Sequence, residues 1–410
     1  MKHWLEYSLS KLCSNITDGK HGDCQNEKGS GYYFVSVKDV YDGKIHYVNS
    51  RQITKSDFEE THRRTQLEAD DILITNSGTI GRMVLVKKSD LTEKTTFQKS
   101  VAIIKPIPEK VVSVFLYYYL LSEKKRLSEF AGGTTQKNLL LRDLKNFKVR
   151  LPDKNSQVAI STILKSLDDK IEINTRMNKV LEEIARALFH RWFVEFEFPD
   201  AEGRPYKSSG GKMAESEMGS VPEGWEVGKI GDICYRKRNL VEPISLLEHL
   251  PYVGLEHMPQ HHMVLDRWGC SEDITSTKIA FTKNDILFGT LRPYFHKVGL
   301  SPINGICSTD ILVVSPIEAE YLSLVLCYLS SDEFVVYANS ASEGTRMPRA
   351  KWNHMKMYPV VLPSKEIVML FNVIINSILS QIKRNIKMNH CLKEIQNKLL
   401  PKLMNGEIEL

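Results

Sequence analysis

The sequence predicts an α+β protein in which two mixed α/β domains alternate with two long helices, and three observations support this prediction. Residues 160–188 have the apolar spacing of a long amphipathic helix. The same stretch recurs without a gap at residues 371–399. Short apolar runs separated by Gly, Asn, Asp and Ser precede each helix, which is typical of strands in a mixed or antiparallel sheet. We therefore expect an internal pseudo-twofold duplication with the helices antiparallel and coiled-coil-like.

The first helix has an apolar seam that contains two asparagines, Asn174 and Asn178. The apolar members of the seam are Ile160, Leu164, Leu167, Ile171, Leu181, Ala185 and Leu188. Both asparagines recur in the second helix as Asn385 and Asn389, shifted by 211 positions. Polar residues in such a seam reduce stability and often fix register. We expect Asn174 and Asn178 to pair with Asn389 and Asn385; the alternative is that they face solvent.

The duplication extends beyond the helices into the residues that precede them. Trp4 matches Trp225, the run 71–74 matches 285–288, and the Gly-Thr turn at 133–134 matches 344–345. The offset between matching residues shrinks from 221 to 211 before the helix and then stays constant. Insertions are tolerated in surface loops, whereas a helix cannot absorb them without losing its seam. Helix length is therefore the property that the two copies share.

These observations divide the chain into five segments. Residues 197–224 are rich in Pro, Gly and Ser without apolar periodicity, which favours a flexible linker. Strands are expected at 32–37, 70–75, 82–88 and 100–106 and a helix at 115–131, with the same order in the second copy. The predicted segments are a first domain at 1–151, a central helix at 152–196, the linker at 197–224, a second domain at 225–362 and a C-terminal helix at 363–410.

Composition limits the class of protein. The chain has 410 residues, of which 42% are hydrophobic and 26% charged, as in a folded protein of two or three domains. We find no apolar run of about 18 residues and no signal peptide, and therefore expect a cytoplasmic protein without a membrane partner. Seven dispersed cysteines favour reduced thiols. The formal charge of +5 permits an acidic partner without requiring one.

Catalytic motifs are not found in the sequence. The base-holding loop of amino-methyltransferases and a P-loop are both missing, and the run 210–212 has the wrong spacing for the latter. Residues 199–202 resemble a nuclease carboxylate pair only faintly and fall in the predicted linker. His257, His261, His262 and Cys270 could form a metal site, but irregular spacing favours a surface loop. We expect neither a catalytic residue nor a bound metal.

The segments 204–213, RPYKSSGGKM, and 219–227, GSVPEGWEV, make the chain resemble the specificity subunit of type I restriction-modification systems. A Gly-Thr turn and a Leu-Pro dipeptide before each helix add to this resemblance. It implies two target recognition domains that read a bipartite sequence in double-stranded DNA. It also implies that the helices are spacers that dock two methyltransferase (modification) subunits and that restriction/translocase subunits join the complex. S-adenosylmethionine, ATP and Mg are then expected on those partners, and no cofactor on this chain.

Candidate DNA contacts lie in loops that differ between the two copies. Arg and Lys read guanine, Asn and Gln read adenine, and hydroxyls or main-chain N–H groups contact the backbone. In the first copy the candidates are Lys20, His21, Asn76, Ser77, Thr79, Arg82, Gln98, Lys99, Thr134, Thr135 and Lys137. In the second copy they are Arg292, Tyr294, His296, Lys297, Thr345, Arg346 and Arg349. For each residue singly, a solvated surface position is the alternative.

Four questions remain open on the sequence alone. The helix pair is either a spacer between two DNA readers or only an oligomerisation stalk. A spacer is plausible in length, because 29 helical residues span roughly 43 Å and one turn of B-DNA is about 34–36 Å long. The catalytic partner is either a separate methyltransferase or a fused methyltransferase-nuclease. The two domains bind either DNA or other proteins. The aromatic end of the first helix, at Phe189, Trp192, Phe193 and Phe196, either covers a recognition domain or docks a partner.

Overall fold

The computed structural model of the chain describes residues 4–131, 138–242, 250–272, 276–340, 342 and 347–410. Contacts divide the chain into two compact units, the first made of residues 1–170 with 391–410 and the second of 171–390. Each unit combines helices with antiparallel and parallel strand pairs, and this confirms the predicted α+β content. Each long helix contributes residues to both units.

The first unit contains eleven strands and five short helices in the described ranges, followed by the first long helix. The strands are β1 (Leu5–Ser8), β2 (Cys13–Asp18), β3 (Tyr33–Val35), β4 (Val40–Tyr41), β5 (Lys44–Ile45), β6 (Arg51–Gln52), β7 (Ile72–Thr75), β8 (Met83–Leu85), β9 (Thr95–Phe97), β10 (Val101–Pro106) and β11 (Lys148–Leu151). The helices are α1 (Leu9–Leu12), α2 (Lys55–Thr65), α3 (Ser113–Ser122), α4 (Lys124–Glu129), α5 (Leu141–Asn146) and the long α6 (Lys154–Phe193).

The central sheet of the first unit has the antiparallel order β2-β10-β7-β8. Strand β10 is apolar on both faces because it lies between two cores. Ala102 and Ile104 pack in the core that contains α3, whereas Val101 and Ile103 pack in a second core on the opposite face. This is the alternation expected of a strand covered on both sides. A second sheet, β6-β3-β9, contains the parallel pair β3 and β9.

The second unit repeats this plan. Its strands are β12 (Met213–Ser216), β13 (Gly219–Pro222), β14 (Glu226–Lys229), β15 (Cys234–Lys237), β16 (Leu240–Val241), β17 (Pro251–Val253), β18 (Gly269–Cys270), β19 (Lys278–Phe281), β20 (Ile286–Gly289), β21 (Val298–Leu300), β22 (Gly305–Cys307), β23 (Ile311–Pro316) and β24 (Pro359–Leu362). Its helices are α7 (Leu322–Leu329), α8 (Asp332–Ser340), α9 (Trp352–Met355) and the long α10 (Lys365–Met404). The central sheet, β15-β23-β20-β21, has the order of its counterpart, and β17 pairs in parallel with β22.

Each central sheet has a buried aspartate directly before strand β7 or its counterpart β20, but the lysine that pairs with it comes from a different strand in each copy. Asp71 is 2.7 Å from the ammonium of Lys105, which lies on β10. The equivalent Asp285 is 2.7 Å from the ammonium of Lys237, which lies on β15. Strand β15 pairs with β23, the counterpart of β10. A buried carboxylate needs such a partner because leaving it unpaired costs several kcal/mol. At the position equivalent to Lys105, the second copy has Ser315, whose hydroxyl donates to Asp285.

Two sequence-based predictions differ from the structure in detail. The predicted helix at 115–131 is interrupted at Glu123, where α3 ends and α4 follows, and the helix predicted in the second copy is bent by 72° between α7 and α8. The segment 197–224, predicted as a flexible linker, contains the hairpin β12–β13. Phe198 is buried there and stacks on Trp225 with ring centroids 4.7 Å apart. Buried aromatic side chains therefore hold this Gly-rich segment in the core of the second unit.

Helices α6 and α10 each have 40 residues, which corresponds to a length of about 60 Å. Phe189, Trp192 and Phe193 on α6 are buried in the core of the second unit, where Phe193 meets Phe371 of α10. This aromatic end therefore covers that core. By composition α10 is long and apolar enough to cross a membrane, contrary to our expectation from the sequence. One apolar face of α10 in the second unit is buried in protein at helical spacing, at Val368, Phe371, Ile375, Leu379 and Ile382. Met369, Leu370 and Val373 of the same helix are exposed.

Candidate nucleic-acid interface

In the first unit, predicted DNA-binding residues collect at one edge of the central sheet. Strands β2 and β7 end at this edge and β8 and β10 begin there, since Val101 pairs with Thr75 and Ala102 with Asp18. Every candidate residue of the first copy that the structure describes lies in the loops at that edge, between residues 20 and 99. Loops at one end of a rigid sheet are a common place for binding residues.

Backbone hydrogen bonds join the loop at Lys20 to the loop at Gln98 and Lys99. The Lys20 amide donates to the Phe97 carbonyl at 2.9 Å, and the Lys99 amide donates to the Lys20 carbonyl at 3.1 Å. Gly19 permits this close approach, because a Cβ there would lie 1.8 Å from the Phe97 carbonyl oxygen. The structure thus brings together two stretches that are about 80 positions apart in the sequence.

The side chains of this pair of loops differ in availability. The Lys20 ammonium is 3.1 Å from Glu60 and 3.4 Å from Asp57, so its charge is already paired. The exposed His21 ring has Nε2 2.9 Å from a carboxylate oxygen of Asp18. Lys99 is exposed and Gln98 half-buried. Of these four candidates, Lys99 is therefore the best placed to meet a phosphate.

The loop from Asn76 to Arg82 is shaped by Thr75 at the end of β7. The Thr75 hydroxyl donates to the Thr79 carbonyl at 2.5 Å and accepts from the Arg82 amide at 2.9 Å. Gly78 and Gly81 have φ of 74° and 79°, which favours glycine over other residues. The Arg82 guanidinium lies 3.3 Å and 3.4 Å from two backbone carbonyl oxygens. Arg82 therefore holds the loop, whereas Thr79 is exposed.

The same loop is joined to the segment that follows the Gly-Thr turn. The Leu139 amide donates to the Asn76 carbonyl at 2.8 Å, and Ser77 forms an antiparallel bridge with Asn138. Asn76 itself is buried, and its side-chain oxygen has no hydrogen-bond partner among the described residues. A ligand donor is one way to satisfy such an oxygen.

An equivalent pair of contacts exists in the second copy. The Ala350 amide donates to the Thr290 carbonyl at 3.0 Å, and Leu291 forms an antiparallel bridge with Arg349. Each residue is the counterpart of one in the first copy, shifted by 214 positions in the loop and by 211 after the turn. The duplicated architecture therefore includes this junction. The predicted residues Thr134, Thr135, Lys137, Thr345 and Arg346 lie outside the described residues.

The guanidinium of Arg292 is available to bind a ligand. Its backbone is left-handed, with φ 50° and ψ 65°, and its amide donates to the Pro348 carbonyl at 2.8 Å. Such a conformation is strained for a residue with a Cβ and persists only where the surroundings enforce it. The guanidinium forms no hydrogen bond or ion pair with any described residue. The nearby Arg349 guanidinium is 3.1 Å from Asp310, and Tyr294 is 53% exposed.

Two predicted DNA contacts of the second copy turn inward instead. His296 is 4% exposed, with Nε2 3.0 Å from the Ser330 carbonyl oxygen, and burial, followed by the proximity of His261, lowers its pKa. Lys297 donates from its ammonium to the Leu255 carbonyl at 2.6 Å, and burial lowers its pKa. Both residues have polar side chains, but the local backbone directs them into the protein. We therefore assign them a structural role in holding the loop.

A residue that the sequence analysis missed is Arg236 on β15. It lines a cleft of about 330 Å³ together with Thr290, Lys351, Trp352 and Asn353. Its Nε atom is buried without a hydrogen-bond partner among the described residues. Burial, followed by repulsion from Arg238, lowers the pKa of Arg236. An aromatic ring beside cationic groups suits a base or a phosphate of a nucleic acid.

The duplication conceals Arg236 when sequences alone are aligned. In the second unit Arg236 lies opposite Val314. The counterpart of Val314 in the first unit is Ile104, which lies opposite Ile16, so Arg236 takes the place of Ile16. A fixed offset of 221 instead aligns Arg236 with the ordinary exposed Asn15. An irregularity in the pairing at the end of β10 causes this difference. The available signal was an arginine in place of the buried Ile16, but this replacement can be recognised only when the strand register is known.

The seam asparagines of the second unit form two hydrogen-bonded pairs. Asn174 donates from Nδ2 to Oδ1 of Asn389 at 2.8 Å, and Asn385 donates from Nδ2 to Oδ1 of Asn178 at 2.8 Å. Asn174 and Asn385 are 1% and 4% exposed. The partner number falls on α10 as the residue number rises on α6. The four amides therefore lie together inside the seam rather than in solvent.

Comparison with protein families gives one match that covers most of the chain. The model of the type I restriction modification DNA specificity domain matches residues 2–183 and again residues 222–397. The two matches correspond to the two copies of the internal duplication.

Individual relatives support the same assignment. The chain is 25% identical to the type I restriction enzyme MjaIX specificity subunit of Methanocaldococcus jannaschii, over 93% of this chain and 88% of that protein. It is 23% identical to the type I restriction enzyme HindI specificity subunit of Haemophilus influenzae, over 100% of both. In fold it resembles the S subunit of a type I restriction-modification system from M. genitalium, with a TM-score of 0.59, 15% identity and coverage of 98% and 96%. The chain therefore belongs to the type I restriction modification DNA specificity domain family, of which it contains two copies of the domain.

Proposed function

We propose that this chain is the DNA-specificity subunit of a type I restriction-modification system. The observation that carries the proposal is the junction repeated in both copies. In each, the loop that leaves the central sheet is bridged to the segment after the Gly-Thr turn. The scaffold is the same, but the side chains that it presents differ. Two readers of different half-sites require this combination, because base readout depends on side-chain type.

Arg292 is the residue to which we assign base readout in the second half-site. A guanidinium without a protein partner can bind the O6 and N7 of guanine in two parallel hydrogen bonds. Arg349 and the cleft at Arg236 provide further cationic groups from the same unit. In the first half-site we assign DNA contacts to Ser77, Thr79 and Lys99, which are exposed or half-exposed.

We further propose that α6 and α10 form an antiparallel coiled-coil pair with internal pseudo-twofold symmetry, which sets the gap between the half-sites. The reciprocal pairs Asn174–Asn389 and Asn178–Asn385 support this proposal, because a twofold axis between them exchanges one pair with the other. A shift of one helix by a heptad would separate all four amides. Unpaired buried amides are costly, and the pairs therefore select one register.

For the methyltransferase subunits we propose a docking stripe on α6, made of Ile173, Met177, Val180 and Ile184. These side chains are 52%, 41%, 49% and 44% exposed and recur at intervals of three or four residues. Met388 and Ile395, the counterparts of Met177 and Ile184, are also exposed on α10, at 40% and 49%. Such stripes suit helix-to-helix docking. Exposed apolar residues at matching positions of the two helices fit two modification subunits, with restriction/translocase subunits joining them.

In this proposal the chain itself has no catalytic role and works in the cytoplasm. Methylation and cleavage, together with S-adenosylmethionine, ATP and Mg, belong to the partner subunits. The family match supports this division of roles, since the relatives are named specificity subunits.

The test is to reconstitute the chain with its methyltransferase subunits and to map the methylated sites on genomic DNA. We expect a bipartite motif for the native chain. Arg292→Ala should relax one base position in one half-site and weaken binding by about 1–3 kcal/mol. Arg267→Ala, which removes a side chain that is 62% exposed in the same unit, is the matched control.

Two results contradict the proposal at different levels. If Arg292→Ala weakens binding equally for all sequences, Arg292 contacts phosphate and the readout assignment is wrong. If the native complex shows no sequence-dependent binding at about 0.15 M salt, the DNA-specificity function itself is wrong. The alternative of a protein-binding scaffold then gains support.

A further inference from the structure

Three potential metal ligands converge in the second unit, at the inner side of the loop that contains Arg292. They are His261, His296 and Asp332, whose ligand atoms lie within 4.8 Å of one another. His296 Nδ1 is 3.0 Å and His261 Nδ1 3.9 Å from the same oxygen of Asp332. We propose that these three side chains bind one zinc ion.

The surroundings of the His296 ring give the strongest argument. Its Nε2 faces the Ser330 carbonyl oxygen at 3.0 Å, and a carbonyl only accepts hydrogen bonds. Nε2 must therefore carry the hydrogen. In the neutral ring Nδ1 is then a bare acceptor, yet it faces the Asp332 carboxylate, which also only accepts. Two acceptors at 3.0 Å repel each other unless a cation lies between them.

A metal ion suits this position better than a proton does. A proton would place a full imidazolium charge in a side chain that is 4% exposed, with the His261 ring centroid only 4.4 Å away. Burial of a charged ring is unfavourable, and Asp332, whose side chain is 81% exposed, offsets that charge only from the solvent side. A metal ion instead uses both rings as ligands. The guanidinium of Arg186 lies near this group through a hydrogen bond to the His261 carbonyl, but it also lies 3.9 Å from Glu182, which offsets its charge.

The chemistry of the three ligands and the exposure of two of them match zinc. Zinc binds two imidazoles and a carboxylate at about 2.0–2.2 Å and accepts water in the fourth position. His296 is the fixed ligand, since its second nitrogen donates to a backbone carbonyl, as is usual for metal-binding histidines. The side chains of His261 and Asp332 are 64% and 81% exposed, so they have room to close around an ion.

This set differs from the one that the sequence suggested. Of His257, His261, His262 and Cys270, only His261 belongs to it. His257 accepts a hydrogen bond from the Gly254 amide at 3.0 Å, and His262 is 3.2 Å from Glu182. A bound ion would tie the turn at 293–295 to the start of α8, because His296 follows that turn and Asp332 begins the helix. Its role would be structural.

The experiment compares metal uptake by the full chain and three variants. Each protein is stripped with EDTA, reloaded with zinc chloride, separated from free metal by gel filtration and analysed by plasma mass spectrometry. Asp332→Asn and His261→Asn each remove one exposed ligand. Glu333→Gln is the matched control, since it removes the same charge from the adjacent exposed position of α8.

We expect about one zinc per chain for the native protein and the control, and a loss of most of that zinc in both ligand variants. Zinc should raise the melting temperature of the native chain and the control only. Cobalt(II) should give the visible bands of a tetrahedral site in the same two proteins. The proposal is overturned if the native chain takes up neither metal in stoichiometric amount, or if either ligand variant retains zinc at the native level.

Discussion

The asparagine pairs of the long helices permit a quantitative test of register, through replacement of Asn385 by leucine. Asn385 is 4% exposed, donates to Asn178 at 2.8 Å and accepts from Gln381 at 2.8 Å. Asn385→Leu removes the donor and leaves the Asn178 amide against an apolar side chain. An amide deprived of its partner in a buried seam costs about 1–3 kcal/mol. We therefore expect Asn385→Leu to destabilise the helix pair by that amount.

The double variant Asn178→Leu with Asn385→Leu should behave differently. With both members of this pair gone, neither leaves the other without its partner, and the half-buried Gln381 can turn to solvent, so the double variant should be near neutral or more stable. The coupling between the two changes should then exceed about 1 kcal/mol. Replacement of Asn178 alone provides the fourth corner of this cycle.

The suitable assay is hydrogen exchange measured by mass spectrometry on peptides from 171–184 and 378–392. A chain with two units need not unfold in one step, and peptide-level opening energies avoid that assumption. Arg176→Leu is the control, because it adds a leucine at a position that is 75% exposed and leaves both pairs intact. It should change the opening energy by less than about 0.5 kcal/mol. Additive costs in the double variant would refute the reasoning, since they would mean that the two amides act independently.

Three further predictions concern stability and assembly. Lys237→Met leaves the buried Asp285 without its ammonium partner and should lower the melting temperature through a loss of about 3–5 kcal/mol, which Asp285→Asn in the same chain should partly restore. Lys383→Met should stabilise the chain by about 1–2 kcal/mol at pH 7, because burial lowers the pKa of Lys383 to about 8 and the folded state bears the cost of its charge. Denaturant titrations should show that this difference shrinks as the pH rises from about 8 to 10.5, where the native lysine loses its proton in the folded state first. Val180→Glu with Ile184→Glu should abolish capture of the methyltransferase subunit in a pull-down while leaving the melting temperature unchanged, since both side chains are exposed at 49% and 44%; capture at the native level would reject the docking stripe.

The elements that the sequence predicted well are those with a strong apolar period. Strands β7 and β20 are fully buried runs at matching places in the two copies, and both were expected. The seam of α6 was expected from its spacing, and its members are buried or half-buried. The hairpin β12–β13 was missed because its anchors, Phe198 and Trp225, are far apart in a segment otherwise rich in Gly and Ser. Composition alone does not reveal a pair of rings that meet only after folding.

Site residues were harder to predict than elements, because their availability depends on backbone direction. Arg292 and His296 are four positions apart and both left-handed, yet the first has no protein partner in the described ranges and the second is buried. Residue type alone predicts a DNA contact for both residues. The bridge between Ser77 and Asn138 joins positions about 60 apart, and no local pattern signals it. The DNA contacts themselves stay predictions.

The two ways of neutralising the buried aspartate limit how the domains can be exchanged. Asp71 depends on a lysine from β10, whereas Asp285 depends on a lysine from β15. A chimera that replaced β2 by β15 alone would place two ammonium groups beside Asp71, and the reverse exchange would leave Asp285 with none. Recombination within a central sheet would therefore produce unstable hybrids, whereas exchange of a whole sheet would not. New specificities in chains of this kind should arise by transfer of complete domains.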